Sequence, residues 1–323
     1  MRAVARSDWR RQRLLILCYH GVSLEDEHLW NPTLYVDPAT LDARLALMRR
    51  EGYSVLAFDA AISALNEGTL PDRAVTITFD DGHYDFLPVA YPILRKHGCP
   101  ATVYLTTYHV DRNVPIFNLF CSYVLWKART RAIDLRAIMG GPRIDLARPA
   151  DRHQVLSRLD AHVRRAAMST AEKNVLARGV AEAVGVDFDD LCERRVLHLL
   201  NGTEVGELAR SGIDFQLHTH CHRSPRNEQE YRHQVLRNRE RIETLVGRTP
   251  EHFCYPSGVT APEFIGWLAA EGVLTGVTCE PGLAHRQSNR YLLPRLLDHC
   301  GLSTLEFEGW LSGVSTIAPR RAY

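Results

Sequence analysis

Short runs of apolar, β-branched and aromatic residues alternate along most of this chain with stretches in which apolar positions recur every three or four residues. The runs at 14–19, 54–58, 75–79, 101–105, 213–217, 252–255, 276–279 and 291–296 predict strands. The helical repeat predicts helices at 38–51, 60–66, 84–97, 204–211, 228–246 and 262–271. In the first of these Leu41, Leu45 and Met48 share one face, and Gly52 stops the helix behind them. Strand–helix alternation of this kind points to an α/β architecture with a largely parallel sheet.

Polar residues gather where the predicted strands end. His20, Asp80, Asp81, the run His218 to His222, Ser257 and Arg295 all lie at or just past such an end. In a parallel barrel those ends converge on one face, where active sites are built. An open doubly wound sheet would gather them too, but it carries a glycine-rich phosphate loop, and none follows the first strand. A barrel-like arrangement is therefore expected. Residues 111–196 break the pattern: they have little β character, many arginines and helical repeats such as Val155, Leu156, Leu159 and Val163. Ser169-Thr170-Ala171-Glu172 reads as a capping box opening another helix. The expected organisation is a barrel over 14–300 interrupted by a helical insertion at about 111–196, with a C-terminal helix and tail over 301–323. The insertion would either cover the active site or form a plain surface subdomain.

Two chemistries stand out. A β-rich run that empties into two adjacent carboxylates, Asp80 and Asp81, is costly unless a cation or proton shares the site. One carboxylate can ligate a metal while its neighbour acts as a base, and Gly82 allows the sharp turn. The predicted helix from Tyr84 would point its N-terminal dipole at them. Far downstream, His218 and His222 stand four residues apart past a strand and can grip one divalent ion, zinc or a similar metal. The spacing leaves His220 open as a ligand, a supporting group or a loop residue.

Together these runs resemble the polysaccharide deacetylase family, the carbohydrate esterases with a NodB-like domain. Thr78-Phe79-Asp80-Asp81-Gly82 matches its first motif, and His218-Thr219-X-X-His222 its second. Asn201 to Leu208 looks like the helix that precedes the histidine strand, Phe253-Cys254-Tyr255-Pro256-Ser257-Gly258 resembles the third motif, and Leu293-Pro294-Arg295 a late signature. The likeness runs from about Leu14 to Leu297, with the insertion as the poor match. It implies a distorted (β/α) barrel and a metal-dependent hydrolase that removes N-acetyl groups from amino sugars of a glycan, glycolipid or glycan precursor. By the same likeness Asp81, His218 and His222 hold a divalent ion, zinc first, with Co2+, Ni2+ or Fe2+ as alternatives. Asp80 is then the general base, and the Tyr255 backbone N–H stabilises the oxyanion. The chain departs from the commonest pattern in lacking the late Leu-X-His acid and the third-motif arginine. A branch with a Tyr-His motif on the first strand fits Cys18-Tyr19-His20-Gly21, which makes His20 the expected acid, with His285 and His299 as competitors. Arg295 would replace the missing arginine by pairing with Asp80.

Charge changes the picture by exclusion. The 39 Lys and Arg balance 38 Asp and Glu to a net +1, which gives no support to a nucleic-acid partner. Eight cysteines without a CxxC pair fit reduced thiols of a cytoplasmic protein. The apolar stretch at 14–17 is too short for a signal or a membrane span, though a peripheral membrane contact is compatible with the amphipathic 302–313 segment, where Ser303 and Glu306 are spaced as a capping box. Other readings are a deformylase or other amide hydrolase on a lipid-linked sugar, an amidohydrolase-type metal barrel suggested by His218-X-His220, and an inactive glycan-binding relative. The expected partner is an N-acetylated amino sugar, on which Trp30, Trp126 and Trp267 could stack if they are not core residues. Oligomeric state is open.

Overall fold

The computed structural model describes residues 1–130, 132–134 and 143–317. The chain divides into two compact units, one formed by Met1–Asp111 and the chain from Leu200 onward, the other by Arg112–Leu199.

In the first unit, β1 (Arg13–Tyr19), β2 (Ser54–Val55), β3 (Ala74–Asp81), β4 (Thr102–Leu105), β5 (Asp214–Leu217), β6 (His252–Cys254), β7 (Thr275–Val277), β8 (Ala284–His285) and β9 (Leu296–Leu297) form one nine-stranded sheet. Its parallel order is β7-β6-β5-β4-β3-β1, with β2 beside the start of β3. On the far side of β1 lie parallel β9 and antiparallel β8. A parallel bridge from Val277 to Leu293 ties β7 to the segment leading into β9, so the curled sheet meets itself. This is the α/β, barrel-like architecture that the strand–helix alternation predicted.

Alternation along the strands sorts two cores. Leu14 and Ile16 of β1, Ala74 of β3, Tyr104 of β4, Cys254 of β6 and Val277 of β7 pack together inside the curl, plugged by Phe58, Ala61, Ile62 and Leu65 of the helix Phe58–Glu67. Leu15, Leu17, Tyr19, Val75, Ile77, Phe79, Val103 and Leu105 face outward against the helices. Strands buried on both faces are rich in apolar and β-branched residues, as in the run Leu14 to Tyr19 of β1, which is why they were visible in the sequence.

Several boundaries differ from expectation. The run at 54–58 is a strand only to Val55, because Phe58 already opens the plugging helix. The single helix expected over 84–97 is a 3-10 turn, Tyr84–Phe86, followed by the helix Ala90–His97. Pro88 has no N–H to donate, and Val89 leaves helical geometry at φ −120°. The helix dipole expected beside the carboxylates therefore starts six residues later than predicted. The strand expected over 291–296 is reduced to Leu296–Leu297 and the bridge at Leu293, so Arg295 precedes its strand instead of ending it.

The basic N-terminus is built in. Arg10 is fully buried and donates to the carbonyls of Leu311 (2.9 Å), Arg13 (2.6 Å) and Ala74 (3.1 Å). The C-terminal helix Thr304–Ser312 opens with the Ser303–Glu306 capping box. In the second unit the helices Phe117–Lys127, Pro149–Arg165, Thr170–Val184 and Phe188–Glu193 bury Phe120, Tyr123, Val155, Leu159, Val180 and Leu191, and Ser169 and Glu172 form a full capping box. Among the described residues no helix is long and apolar enough to cross a membrane.

Candidate active site

Inside a strand, neighbouring side chains point to opposite faces. Asp80 follows the inward register of Ala74, Thr76 and Thr78, whereas Asp81 would turn outward. Asp81 instead takes a left-handed backbone at φ 69°, and Gly82 follows at φ 83°. That φ strains any residue with a Cβ, and a Cβ on Gly82 would also sit 2.4 Å from Leu105 Cδ1 and force that buried side chain to shift. The break lets both adjacent carboxylates serve one site.

Asp81 Oδ1 lies 3.2 Å from His218 Nε2 and 3.2 Å from His222 Nε2. The histidines follow β5 on a loop whose backbone is also strained, with Thr219 at φ 59° and His222 at φ 51°. The long helix Glu228–Val246 holds this loop. Its buried Asn238 accepts from the His218 N–H (2.8 Å) and donates to Leu105 O (2.9 Å) and Thr107 Oγ1 (3.0 Å). Gln234 accepts from the Cys221 N–H at 2.8 Å. His220, left open by the sequence, turns to the loop after β4: its ring meets Thr107 Oγ1 at 2.9 Å and its carbonyl accepts from the Tyr108 N–H at 2.7 Å.

Asp80 is buried in a different setting. Arg295 grips it with two bonds of 2.7 Å, one to each carboxylate oxygen, and also donates to Thr78 Oγ1 (3.1 Å) and Thr278 O (2.9 Å). Cys254 and Cys18 place their sulfurs 3.3 and 3.5 Å from Asp80 Oδ2. His20 Nε2 stands 3.9 Å from the same oxygen, and its Nδ1 is buried without a hydrogen bond among the described residues. Tyr255 is buried, with its N–H bonded to Val277 O at 3.3 Å. His285 pairs with Arg13 at the opposite end of β1 from His20, some seven residues or roughly 20 Å along the strand. Of the tryptophans, Trp267 packs on Tyr231 and Phe264 as a core residue, Trp126 stacks on Tyr123, and Trp30 lies 6.1 Å from Tyr35.

Electrostatics follow from this geometry. Burial alone would raise the Asp80 pKa, but the charge and hydrogen bonds of Arg295 outweigh it and hold the carboxylate below its ordinary range. Asp81 is likewise held well down, by His218 and His83 against burial. Burial lowers His20 and His222, while at His218 the Asp81 contact overcomes burial and raises it.

The donor set fits a divalent ion. Asp81, His218 and His222 offer ligand atoms within 4.8 Å of one another. Asp81 Oδ1 is buried and makes no hydrogen bond among the described residues. His218 Nδ1 is 2.9 Å from Cys254 O, which fixes the tautomer and leaves Nε2 as the free ligand. Asp80, His218 and Cys254 form a second group of the same compactness, but both Asp80 oxygens are occupied by Arg295. Sequence reasoning missed Asn238, Gln234, His83 and Tyr35; of these only His83, directly after Gly82, carried a local signal.

The sequence model described as polysaccharide deacetylase matches residues 67–273. The chain is 33% identical over 94 residues to the YxkH protein of Bacillus subtilis (strain 168), covering 29% of this chain and 32% of that one. It is 30% identical over 99 residues to the poly-beta-1,6-N-acetyl-D-glucosamine N-deacetylase of Escherichia coli (strain K12), 30% of this chain but 14% of that one. Matches to these relatives thus span a third of their length or less. Among solved structures, the Streptococcus pyogenes deacetylase PplD in complex with acetate superposes with a TM-score of 0.61 at 20% identity, over 93% of this chain and 98% of that one. IcaB from Ammonifex degensii gives 0.60 at 15% identity, over 93% and 97%. Both share the fold.

Proposed function

The chain belongs to the polysaccharide deacetylase family, and we propose that it is a divalent-metal-dependent hydrolase removing N-acetyl groups from amino sugars of a glycan, glycolipid or glycan precursor. One observation carries this reading: Asp81 Oδ1 is flanked at 3.2 Å by two histidine nitrogens while the adjacent carboxylate, Asp80, is clamped separately by Arg295. Those separate settings support two different jobs for the neighbouring carboxylates.

Asp81, His218 and His222 would hold the ion, zinc first and Co2+, Ni2+ or Fe2+ as alternatives. When bound, the ion would supply Lewis-acid polarisation of the amide carbonyl and an acidified water. Asp80, kept ionised by Arg295, takes the proton from the attacking water. The Tyr255 N–H would exchange its 3.3 Å bond to Val277 for one to the tetrahedral oxyanion. His20, 3.9 Å from Asp80, acts in its protonated form: it gives that proton to the departing amine nitrogen as the C–N bond breaks, and the proton that Asp80 took from water restores it. Arg295 positions Asp80 and stays charged throughout.

The test is bound metal by elemental analysis, for wild type beside an Asp81→Ala, His218→Ala double variant, followed by acetate release from N-acetylated sugars. About one ion per chain, lost in the variant, and acetate release that depends on it are expected. Wild type that takes up no ion after reloading overturns the reading and leaves a glycan-binding protein; formate instead of acetate release would make it a deformylase.

A further inference from the structure

We propose that Tyr35 and His83 form a positioning pair that holds one oxygen of Asp81 so that the other is presented to the ion, an inference that rests on the metal site proposed above. The two oxygens of Asp81 face different partners. Oδ1 looks toward His218 and His222, and Oδ2 looks toward His83 Nε2 at 3.5 Å. His83 is buried, and its Nε2 makes no hydrogen bond among the described residues. Its Nδ1 lies 3.2 Å from the hydroxyl of buried Tyr35, with the rings edge-on at 5.5 Å. A tyrosine hydroxyl that donates to Nδ1 leaves the ring proton on Nε2, the nitrogen aimed at Asp81.

The seat of Tyr35 explains a motif residue that the reaction does not use. The strands Gly21–Val22 and Tyr35–Val36 run parallel with Gly21 opposite Tyr35. The tyrosine ring lies across the bare Cα of Gly21, where an added Cβ would be 2.1 Å from Tyr35 Cε1. Cys18-Tyr19-His20-Gly21 therefore does two things. His20 faces Asp80, and Gly21 makes room for the ring that orients His83 behind Asp81.

A carboxylate whose Oδ2 faces the buried His83 ring at 3.5 Å has its other oxygen turned to the two histidines. That suits a small ion sharing two imidazole nitrogens, whereas calcium prefers six to eight oxygens and often takes a carboxylate through both. His83 is thus a positioning residue, and its effect should show in ion affinity before any substrate is added.

The experiment titrates Zn2+ and Co2+ into the metal-stripped full chain against a chromogenic chelator, for wild type, His83→Ala, His83→Gln, Tyr35→Phe and Gly21→Ala. His83→Ala should weaken Zn2+ binding about 10- to 100-fold and alter the visible spectrum of bound Co2+. His83→Gln, which keeps an N–H donor, should recover most of the affinity. Tyr35→Phe and Gly21→Ala should weaken binding in the same direction, Tyr35→Phe least. Unchanged affinity in His83→Ala overturns the pair while leaving the metal site intact, as does His83→Gln binding no better than His83→Ala. Should His83→Ala or Gly21→Ala fail to fold, wild-type affinity in both His83→Gln and Tyr35→Phe, with the Co2+ spectrum of Tyr35→Phe also unchanged, overturns it. Wild type that binds no ion overturns both this inference and the function on which it rests.

Discussion

Arg295 and Asp80 form a buried, two-pronged ion pair, 2.7 Å on each prong, between residues 215 positions apart. Among the described residues neither partner has another counter-charge as close, so each is costly without the other. Arg295→Ala should destabilise the metal-free protein by about 3–5 kcal/mol, because it strands a buried carboxylate. Urea unfolding of Arg295→Ala beside the Arg295→Met, Asp80→Asn pair checks this. The double variant should recover part of the loss; equal losses would mean that the charge pairing is not what is measured.

Asp80→Asn removes the proposed base and keeps its shape. Metal content should stay at the wild-type level while turnover falls by about 10²- to 10⁴-fold. Acetate release with intact metal content and undiminished rate would remove Asp80 from that role.

The fold and the acidic and histidine pair of motifs were legible because their signals are local. β1, buried on both faces, leaves an unbroken apolar run from Leu14 to Tyr19, β3 a β-branched and aromatic one that includes Thr76 and Thr78, and Asp80-Asp81-Gly82 announces itself by sitting at the end of the latter. What stayed hidden lies in long-range partnerships. Asn238 and Gln234 are ordinary polar residues on a helix until the fold sets them under the His218–His222 loop. Arg10 lies in the basic stretch from Met1 to Arg13, yet it is fully buried. No periodicity encodes a hydrogen bond from a helix to a loop 13 or 20 residues before it, still less one from Arg10 to Leu311.

Asp85 provides a pH test away from the proposed ligands. Its Oδ1 accepts from the Val22 N–H at 2.8 Å, and burial pushes its pKa up to about 7 from an ordinary 3.8. A carboxyl with a raised folded pKa binds its proton more tightly folded than unfolded. Stability from this group is therefore present at about pH 4 and below, declines as pH rises, and is gone above about 7. Asp85→Asn keeps the acceptor and cannot ionise. Its melting temperature should match wild type near pH 4 and exceed it at pH 8, by stability on the order of a few kcal/mol. A difference that does not vary with pH would sink the assignment.

Arg10→Ala should cost about 3 kcal/mol or more by leaving the carbonyls of Leu311, Arg13 and Ala74 unpaired. Arg10→Lys, with a compact ammonium in place of the fork, should restore only part. Chemical denaturation of the three proteins gives the answer, and full rescue by lysine would mean that charge alone matters.

The place of β1 in the sheet sets an order of events during synthesis. β1 leaves the ribosome long before the partners on one of its edges, Ala284–His285 and Leu296–Leu297, and Arg10 long before the Leu311 carbonyl that completes its set of acceptors. Until then the nascent chain carries an open strand edge and a cation with an unfinished set of acceptors. Such non-local closure is slow, and an open edge invites pairing with other chains. Truncation after Leu283 should therefore yield aggregated protein even though most of the proposed catalytic residues precede the cut.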